Sequence, residues 1–106
     1  MRLFVLLFSV FVSGLSFAQT RIEGKVTDES GAPIPGANIF IKDSYDGTSS
    51  AVDGSFSFTT EETGERILSV TFVGYKSYEL KAILNGTPIS LQIILSEEIN
   101  QLDGVV

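Results

Sequence analysis

The side chains best suited to chemistry in this sequence are carboxylates, because the 106-residue chain contains neither histidine nor cysteine. Without them there is no Ser-His-Asp or Cys-His nucleophile system, no histidine-based zinc site and no histidine general base. The acidic residues lie mainly in turn-forming stretches, where carboxylates accept hydrogen bonds from the local backbone. They are Asp28, Asp43, Asp46, Asp53, Glu61 and Glu62. We therefore expect no enzyme activity.

One metal is chemically compatible with these carboxylates. Asp43, Asp46 and Asp53 could approach one another at one end of a β-sandwich, and calcium binds several hard oxygen ligands. The spacing Asp-x-x-Asp-Gly over 43–47 differs, however, from the Asp-x-Asp-x-Asp-Gly pattern of calcium loops. The sequence favours turn-forming aspartates, so we expect no metal site and no other cofactor.

Three large apolar or aromatic side chains raise the possibility of a binding surface. Tyr75 follows Gly74, and it could stack on a ligand or cap the core, which is the commoner role beside a bend in a strand. Phe40 and Ile94 fall on the polar faces of their strands. They could cover a sheet edge, receive a neighbouring domain or be isolated surface residues, and isolated residues are the default interpretation.

Extended segments must position these side chains, because apolar and polar residues alternate with the period of two that half-buried strands show. The first such segment covers 22–27 and the second covers 37–42. The stretch between them, 28–36, contains Pro33 and Pro35, which fix φ and remove two backbone donors. The sequence therefore predicts a loop that does not pair through its prolines, with the second strand beginning after it.

Turn signals divide the rest of the chain into further short strands. Asp53-Gly54 predicts a hairpin, Gly74 a bend and Asn85-Gly86 a second tight turn. The predicted strands cover 22–27, 37–42, 48–52, 55–60, 67–73, 75–80 and 89–95. Seven short strands without helical periodicity indicate an all-β fold, for which a two-sheet antiparallel sandwich is the natural closure.

The two ends of the chain differ in composition from the strands. Residues 1–18 combine a positively charged start, an apolar run over 3–12 and small residues before Ala18, which predicts a secretory signal cleaved after Ala18. The alternative is a membrane anchor, but the apolar run is shorter than the roughly 20 residues of a spanning helix. We expect residues 19–95 to form one domain and residues 96–106, which are polar as far as Asp103, to form a linker and tail.

The net charge disfavours two classes of partner. The whole chain has 7 basic and 13 acidic residues, and removal of the signal with Arg2 makes the balance more acidic still. No basic patch is left for nucleic acid and no Lys/Arg cluster for anionic lipid. Because there is no cysteine, no disulfide can stabilise the domain, and its stability must come from packed apolar side chains and the backbone ladder.

Four ordered motifs in the predicted domain resemble one known family. They read Ile22-x-Gly24-x-Val26-x-Asp28, then Gly31-x-Pro33-Ile34-Pro35-Gly36-Ala37-Asn38-Ile39, then Gly47-Thr48 before Asp53-Gly54-Ser55-Phe56, and finally Phe72-Val73-Gly74-Tyr75. This set resembles the carboxypeptidase-regulatory-like domain, and the resemblance extends to Leu95. It implies a seven-stranded, transthyretin-like Greek-key sandwich. The module in that family carries no peptidase residues, and nothing in this chain resembles the zinc-binding catalytic domain.

The last five residues extend the resemblance. In TonB-dependent outer-membrane transporters of the starch-utilisation type, a domain like this one follows the signal peptide and precedes the TonB box, the plug and the barrel. That box typically reads Leu-Asp-Glu-Val-Val-Val. The residues that resemble its beginning, with glycine in place of glutamate, are Leu102, Asp103, Gly104, Val105 and Val106. The resemblance implies that these residues bind a partner, by adding a strand to an exposed sheet edge of a periplasmic protein.

The function that the resemblance implies is that of a non-catalytic N-terminal domain of a TonB-dependent outer-membrane transporter. We expect it to be exported to the periplasmic side of the outer membrane and to have a docking or regulatory role in nutrient uptake. Its expected partner is the TonB C-terminal domain or the transporter's own plug and barrel, and no small-molecule substrate is inferred. The apolar end of the chain suggests a truncated product or fragment. The alternative is a free-standing exported β-sandwich that binds a protein or a glycan.

Overall fold

A computed structural model of the chain describes residues 19–99, which form seven β-strands and no helix. In chain order the strands are β1 (Thr20–Asp28), β2 (Asn38–Ile41), β3 (Gly47–Ser49), β4 (Ser55–Thr60), β5 (Gly64–Thr71), β6 (Tyr78–Leu84) and β7 (Ile89–Leu95). This described part of the chain accordingly contains no helix long and apolar enough to cross a membrane. The predicted signal at 1–18 and the predicted partner-binding residues at 102–106 lie outside the described residues.

The strands form two sheets that enclose one core. The three-stranded sheet has the order β4-β1-β7 and the four-stranded sheet has the order β3-β2-β5-β6. The predicted all-β, seven-stranded sandwich is therefore confirmed. The ladders are antiparallel except between β1 and β7, which run parallel, so the expectation of purely antiparallel pairing is wrong there. The alternation of side chains is the same in both kinds of ladder, and it carries no information about strand direction.

Gly24 permits the close approach of β1 and β7. It is the register partner of Leu91. A Cβ atom built on Gly24 would lie 2.9 Å from the Leu91 carbonyl carbon and would overlap the oxygen of that carbonyl. Any side chain at this position would force the two strands apart, which explains a glycine in the middle of the central strand.

The core lies between the two sheets and receives buried side chains from every strand except β3. Its buried members are Ile22, Val26, Ile34, Ala37, Ile39, Ile41, Phe56, Leu68, Val70, Ala82, Leu84, Ile93 and Leu95. Burying an isoleucine or leucine stabilises a fold by about 1.5–3 kcal/mol relative to exposure, so this cluster is the main source of stability in a chain without disulfides. The alternating apolar residues of β7 are Ile89, Leu91, Ile93 and Leu95. Only the last two are completely buried, whereas Ile89 and Leu91 are half-buried.

The Asp53-Gly54 pair forms a tight turn but not the predicted hairpin. Gly54 has a φ of 84°, and its N–H donates to the Ala51 carbonyl at 2.8 Å. The strand before the turn, β3, pairs with β2, whereas the strand after it, β4, pairs with β1 in the other sheet. The turn therefore carries the chain between sheets. The Asp-Gly pair predicts the turn itself, but the partners of the flanking strands are decided by long-range packing.

The predicted turn at Asn85-Gly86 also connects strands of different sheets. Gly86 has a φ of 91°, and its N–H donates to the Thr20 hydroxyl oxygen at 2.9 Å. Thr20 is buried at the start of β1. This hydrogen bond joins the beginning of the first strand to the connection between the last two.

The predicted bend at Gly74 is confirmed, with a φ of 89°. The break is longer than expected, because β5 ends at Thr71 and β6 begins only at Tyr78. The ladder between β5 and β6 extends further than predicted at its other end, where Gly64 pairs with Leu84. Both strands extend there past their predicted ends because each supplies the hydrogen-bonding partner of the other.

The predicted loop between β1 and β2 folds back on β1. The strand β2 begins after Gly36, as expected, but Pro33 forms an isolated antiparallel bridge with Thr27. The Ile34 N–H donates to the Val26 carbonyl at 3.0 Å, so the bridge uses donors other than the proline nitrogen. The prolines thus donate no hydrogen bond, as expected, but the loop still pairs with β1 around Pro33, because a proline is tolerated wherever its missing N–H would make no bond.

Candidate partner-binding site

The directions of the strands place the chain connections at two opposite ends of the sandwich. Because β1 and β7 run parallel, their last residues, Asp28 and Leu95, are register partners at the same end. The chain leaves β7 there. We call this region the tail-exit end, and it consists of the segments 29–37, 50–54, 72–77 and 96–99.

Main-chain hydrogen bonds fix the direction in which the chain leaves β7. The Lys76 N–H donates to the Ser96 carbonyl and the Glu98 N–H donates to the Gly74 carbonyl, each at 2.9 Å. Between them, Tyr75 and Glu97 form an isolated antiparallel bridge. The first residues of the predicted linker are thus bound to a loop of the opposite sheet. Sequence reasoning missed this contact, and the bend at Gly74 was its only local signal.

Tyr75 caps the core next to this exit. Its side chain is half-buried against the core cluster, and its ring centroid lies 5.8 Å from that of Phe72 with the ring planes inclined at 45°. This tilted arrangement is favourable for two aromatic rings. Tyr75 therefore takes the core-capping position that the sequence favoured over a ligand-stacking role.

A cleft of about 300 Å³ lies at the tail-exit end. Its apolar lining comes from Tyr75, Leu95 and Ile99, and its polar lining includes Glu29 and Glu97. An apolar floor with a carboxylate rim can hold the methylene stem of a lysine or arginine while the charged head meets an opposite charge.

Asp28, which also borders the cleft, is engaged within its own turn. It accepts hydrogen bonds from the Ser30 hydroxyl at 2.7 Å, the Ser30 N–H at 2.9 Å and the Ala32 N–H at 3.0 Å. The Ser30 hydroxyl, followed by the Ala32 N–H, lowers the pKa of Asp28 below its ordinary value. The structure thus gives Asp28 the turn-forming role that the sequence predicted.

Three other carboxylates at this end, those of Glu29, Glu97 and Glu98, form no ion pair among residues 19–99. The ion pairs in the described region are Arg21–Glu23, Lys42–Glu79, Arg66–Glu62 and Lys81–Glu65. They leave Glu29, Glu97 and Glu98 unneutralised, and the sequence after residue 99 contains no lysine or arginine. The segments of the tail-exit end contain these three glutamates and Asp53 but one basic residue, Lys76, so their charge is predominantly negative and favours a basic partner.

The three aspartates considered as calcium ligands do not come together. Asp46 accepts a hydrogen bond from the Thr60 hydroxyl at 2.6 Å, at the end of β4 that pairs with Thr20. Asp53 lies at the other end of β4, where it accepts from the Ser55 hydroxyl at 2.6 Å. The expectation that Asp43, Asp46 and Asp53 could share one end of the sandwich is therefore wrong, since β3 separates the first two from the third.

No group of three or more acidic side chains in the described region could hold a metal ion. Glu61 and Glu62 likewise lie in a connection between strands, and Glu62 forms an ion pair with Arg66 at 3.0 Å. These two residues form a solvated turn, in agreement with the interpretation that the sequence favoured.

The exposed apolar side chains include two on loops of the tail-exit end. Val52 and Val73 are 85% and 92% exposed. Their loops meet at Gly36, whose N–H donates to the Ser50 carbonyl at 2.9 Å and where an added Cβ atom would lie 3.8 Å from the Phe72 ring. Apolar side chains on converging loops, next to unneutralised carboxylates, are typical of a protein-binding surface.

Phe40 and Ile94 lie on the outer faces of different sheets. Phe40 is half-buried and packs over Gly47, where a Cβ atom would lie 2.7 Å from the Phe40 Cβ. Ile94 is 56% exposed on β7. The two residues therefore do not form one patch, and only Ile94 remains substantially available to a partner.

Comparison with known proteins places this geometry in a family. A family model described as the CarboxypepD_reg-like domain matches residues 22–106. The chain belongs to this family. The match begins at Ile22, the third residue of β1, and includes the six other strands. It also includes the whole tail-exit end of the CarboxypepD_reg-like domain.

Relatives of this CarboxypepD_reg-like domain include TonB-dependent receptors. The chain is 35% identical over 107 residues to TonB-dependent receptor SusC of Bacteroides thetaiotaomicron, and the match covers 98% of the chain but 10% of the receptor. It is 33% identical over 106 residues to TonB-dependent receptor P39 of Formosa agariphila, which covers 96% of the chain and 9% of the receptor. The chain therefore spans about a tenth of the length of these relatives.

Solved structures share the sandwich fold at low sequence identity. A cohesin-X-dockerin complex from Acetivibrio cellulolyticus matches with a TM-score of 0.61 and 17% identity over 72% of this chain and 56% of the other. The 3-chlorocatechol 1,2-dioxygenase of Rhodococcus opacus matches with a TM-score of 0.58 and 10% identity over 78% of this chain and 62% of the enzyme. At these identities the likeness concerns the fold alone.

Proposed function

We propose that this chain is the N-terminal periplasmic domain of a TonB-dependent outer-membrane transporter, with a docking role in nutrient uptake and no catalytic activity. The domain sits on the periplasmic side of the outer membrane after removal of residues 1–18. It presents the tail to the TonB C-terminal domain, or docks on the transporter's own plug and barrel.

The observation that carries this proposal is the fixed exit of the chain from β7. Two hydrogen bonds, from Lys76 to Ser96 and from Glu98 to Gly74, hold the beginning of the tail on the body of the sandwich. The residues proposed to bind a partner, Leu102 to Val106, follow Glu98 within a few residues. A partner that engages the tail is thereby brought next to the apolar loops and carboxylates of the tail-exit end.

A non-catalytic role is supported by the distribution of reactive groups. The chain lacks histidine and cysteine. The carboxylates of Asp28 and Asp53 accept hydrogen bonds from the hydroxyl and N–H groups of neighbouring residues in their turns. The relatives in sequence include TonB-dependent receptors, whereas the dioxygenases resemble this chain only in fold.

Binding of the tail is tested with the chain from residue 19 to 106 and a variant that ends at Gln101. The probe is the purified periplasmic C-terminal domain of TonB from the same bacterium. We expect at least a tenfold loss of affinity when residues 102–106 are removed, because these residues supply the main-chain hydrogen bonds of an added strand. Equal affinities of the two proteins would exclude the tail from the interaction.

The same experiment distinguishes the transporter domain from a free-standing binding module. A module that binds proteins through its loops would retain its partner without the tail and lose it on substitution of Val52 and Val73 by serine. The Val52→Ser and Val73→Ser changes affect side chains that are almost entirely exposed, so we expect both variants to fold like the unmodified chain. A loss of binding would then report a lost contact with the partner.

A further inference from the structure

Within residues 19–99 the sandwich has four edge strands, and each is a possible site for the addition of an extended segment. They are β4 and β7 in one sheet and β3 and β6 in the other. An edge strand leaves main-chain N–H and C=O groups on one side without a partner in its sheet. Natural proteins protect such edges by making them short, by placing charges on them or by covering them.

Three of the four edges show such protection. The strand β3 has three residues. The strand β6 carries Glu79 and Lys81, each in an ion pair. The strand β4 is held at both ends by the segment around β3, through Ala51 N–H to Ser55 carbonyl and Thr60 hydroxyl to Asp46.

The edge of β7 has none of these protections. Its sequence, Ile-Ser-Leu-Gln-Ile-Ile-Leu, has seven residues without a charge, a proline or a glycine. Among residues 19–99, the main chain of β7 pairs with β1 alone. Ile94 projects outward at 56% exposure, and the inward-facing Ile89 and Leu91 are incompletely covered. An added strand would cover these side chains and form hydrogen bonds with the unpaired main-chain N–H and C=O groups of β7.

The described residues that follow β7, 96–99, do not supply this strand. Folding back along β7 would require a reversal over 96–98. That segment is instead held on the opposite sheet by Gly74 and Lys76. No other segment of residues 19–99 lies along this edge, which leaves it open to a strand from another protein.

Charge decides between a second copy of this chain and a different protein. The cleft at the Leu95 end of β7 has an apolar floor and a rim that includes Glu29 and Glu97, neither of which has a cationic partner in the described region. A second copy paired antiparallel through the same edge would bring its own segment 85–88 to this cleft, and that segment contains no lysine or arginine. A lysine or arginine of another protein would fill the cleft with its stem and neutralise the rim.

We propose that the free edge of β7 binds an extended segment of another protein, with alternating apolar residues along Ile89–Leu95 and a lysine or arginine in the cleft beside Glu29 and Glu97. This site is separate from the tail, so it stands or falls independently of TonB binding by residues 102–106.

The test uses the chain from residue 19 to 106 and two synthetic peptides. The first is Lys-Val-Thr-Val-Thr-Val-Lys and the second has glutamate in place of both lysines. Binding is followed by calorimetry, and the bound strand is located by hydrogen exchange of the amides at 89–95. We expect the lysine peptide to bind at least tenfold more tightly than the glutamate peptide and to slow exchange within β7.

Matched variants locate the site. Ile94→Lys places on β7 the kind of charge that protects an edge, and Ile83→Lys makes the same change at an exposed residue of β6. We expect Ile94→Lys to weaken binding at least tenfold and Ile83→Lys to leave it unchanged, while Glu97→Gln lowers affinity for the lysine peptide alone. Four results would overturn the proposal: no binding, equal binding of both peptides, greater sensitivity to Ile83→Lys, or dimers of the chain that protect β7 without peptide.

Discussion

The Ser50 hydroxyl donates a hydrogen bond to the Ile34 carbonyl at 2.6 Å and accepts one from the Ala37 N–H at 2.9 Å. Both bonds are buried, and they join the connection after β3 to both sides of the Pro35-Gly36 turn. One side chain therefore satisfies two main-chain groups of the loop that leads into β2. These contacts hold together two loops of the tail-exit end.

Replacement of Ser50 by alanine is expected to lower the free energy of unfolding by about 1–3 kcal/mol. The variant leaves a buried carbonyl and a buried N–H without their partner, and an unsatisfied buried group costs its full desolvation energy. Ser49→Ala, one residue earlier and exposed, serves as the control and should change stability by less than about 0.5 kcal/mol. Urea unfolding followed by circular dichroism measures both, and equal stabilities of the two variants would contradict this role of Ser50.

Replacement of Gly24 by alanine is expected to destabilise the parallel β1–β7 pair. The added methyl would overlap the Leu91 carbonyl, and overpacking of this kind costs about 1–3 kcal/mol or more. Lys25→Ala, on the exposed face of the same strand, is the matched control. The midpoint temperature of thermal unfolding should fall by several degrees for Gly24→Ala only. An unchanged midpoint would mean that β1 and β7 accommodate the methyl group without a loss of stability.

Stability is expected to fall in acid partly through Asp28 and Asp53. The pKa of Asp28 is lowered first by the Ser30 hydroxyl, and that of Asp53 first by the Ser55 hydroxyl. Since the folded pKa values lie below 3.8, the unfolded chain binds more protons in this range, and stability rises with pH. The contribution is complete above about pH 4 and is lost as pH falls through the folded values.

The double variant Asp28→Asn/Asp53→Asn measures this contribution. Asparagine keeps an acceptor in each turn but does not titrate, so the free energy of unfolding should fall less steeply between about pH 4 and pH 2 than in the unmodified chain. Chemical unfolding at a series of pH values gives the two slopes. Parallel slopes would show that these carboxylates are not stabilised by their turns.

Release of the tail from the sandwich is expected when Glu98 is replaced by proline. The change removes the N–H that donates to the Gly74 carbonyl, whereas Glu98→Ala removes the same carboxylate and keeps that N–H. Hydrogen exchange at Lys76, whose N–H donates to Ser96, should accelerate in Glu98→Pro and stay unchanged in Glu98→Ala. Equal exchange rates in both variants would argue that the two exit hydrogen bonds open independently.

Much of the architecture follows from short-range features of the sequence. Alternating side chains predicted all seven strands, and glycine at positions 54, 74 and 86 predicted chain reversals that have positive φ. The wrong predictions concern which strands pair with each other. Asp53-Gly54 between two β-favouring segments predicts a hairpin, yet these segments pair in different sheets. Turn chemistry is local, whereas the choice of a neighbouring strand depends on loop closure and on burial of the whole core.

The sequence by itself determined that this is an all-β domain without histidine or cysteine chemistry, and its ordered motifs pointed to the family that the comparison identified. Only the tertiary structure decided that β1 and β7 run parallel, that Asp46 and Asp53 lie at opposite ends, and that residues 96–98 are bound to the opposite sheet. The physical reason is that side-chain alternation specifies which face of a strand is buried, whereas strand direction and neighbours are fixed only when both sheets close around one core.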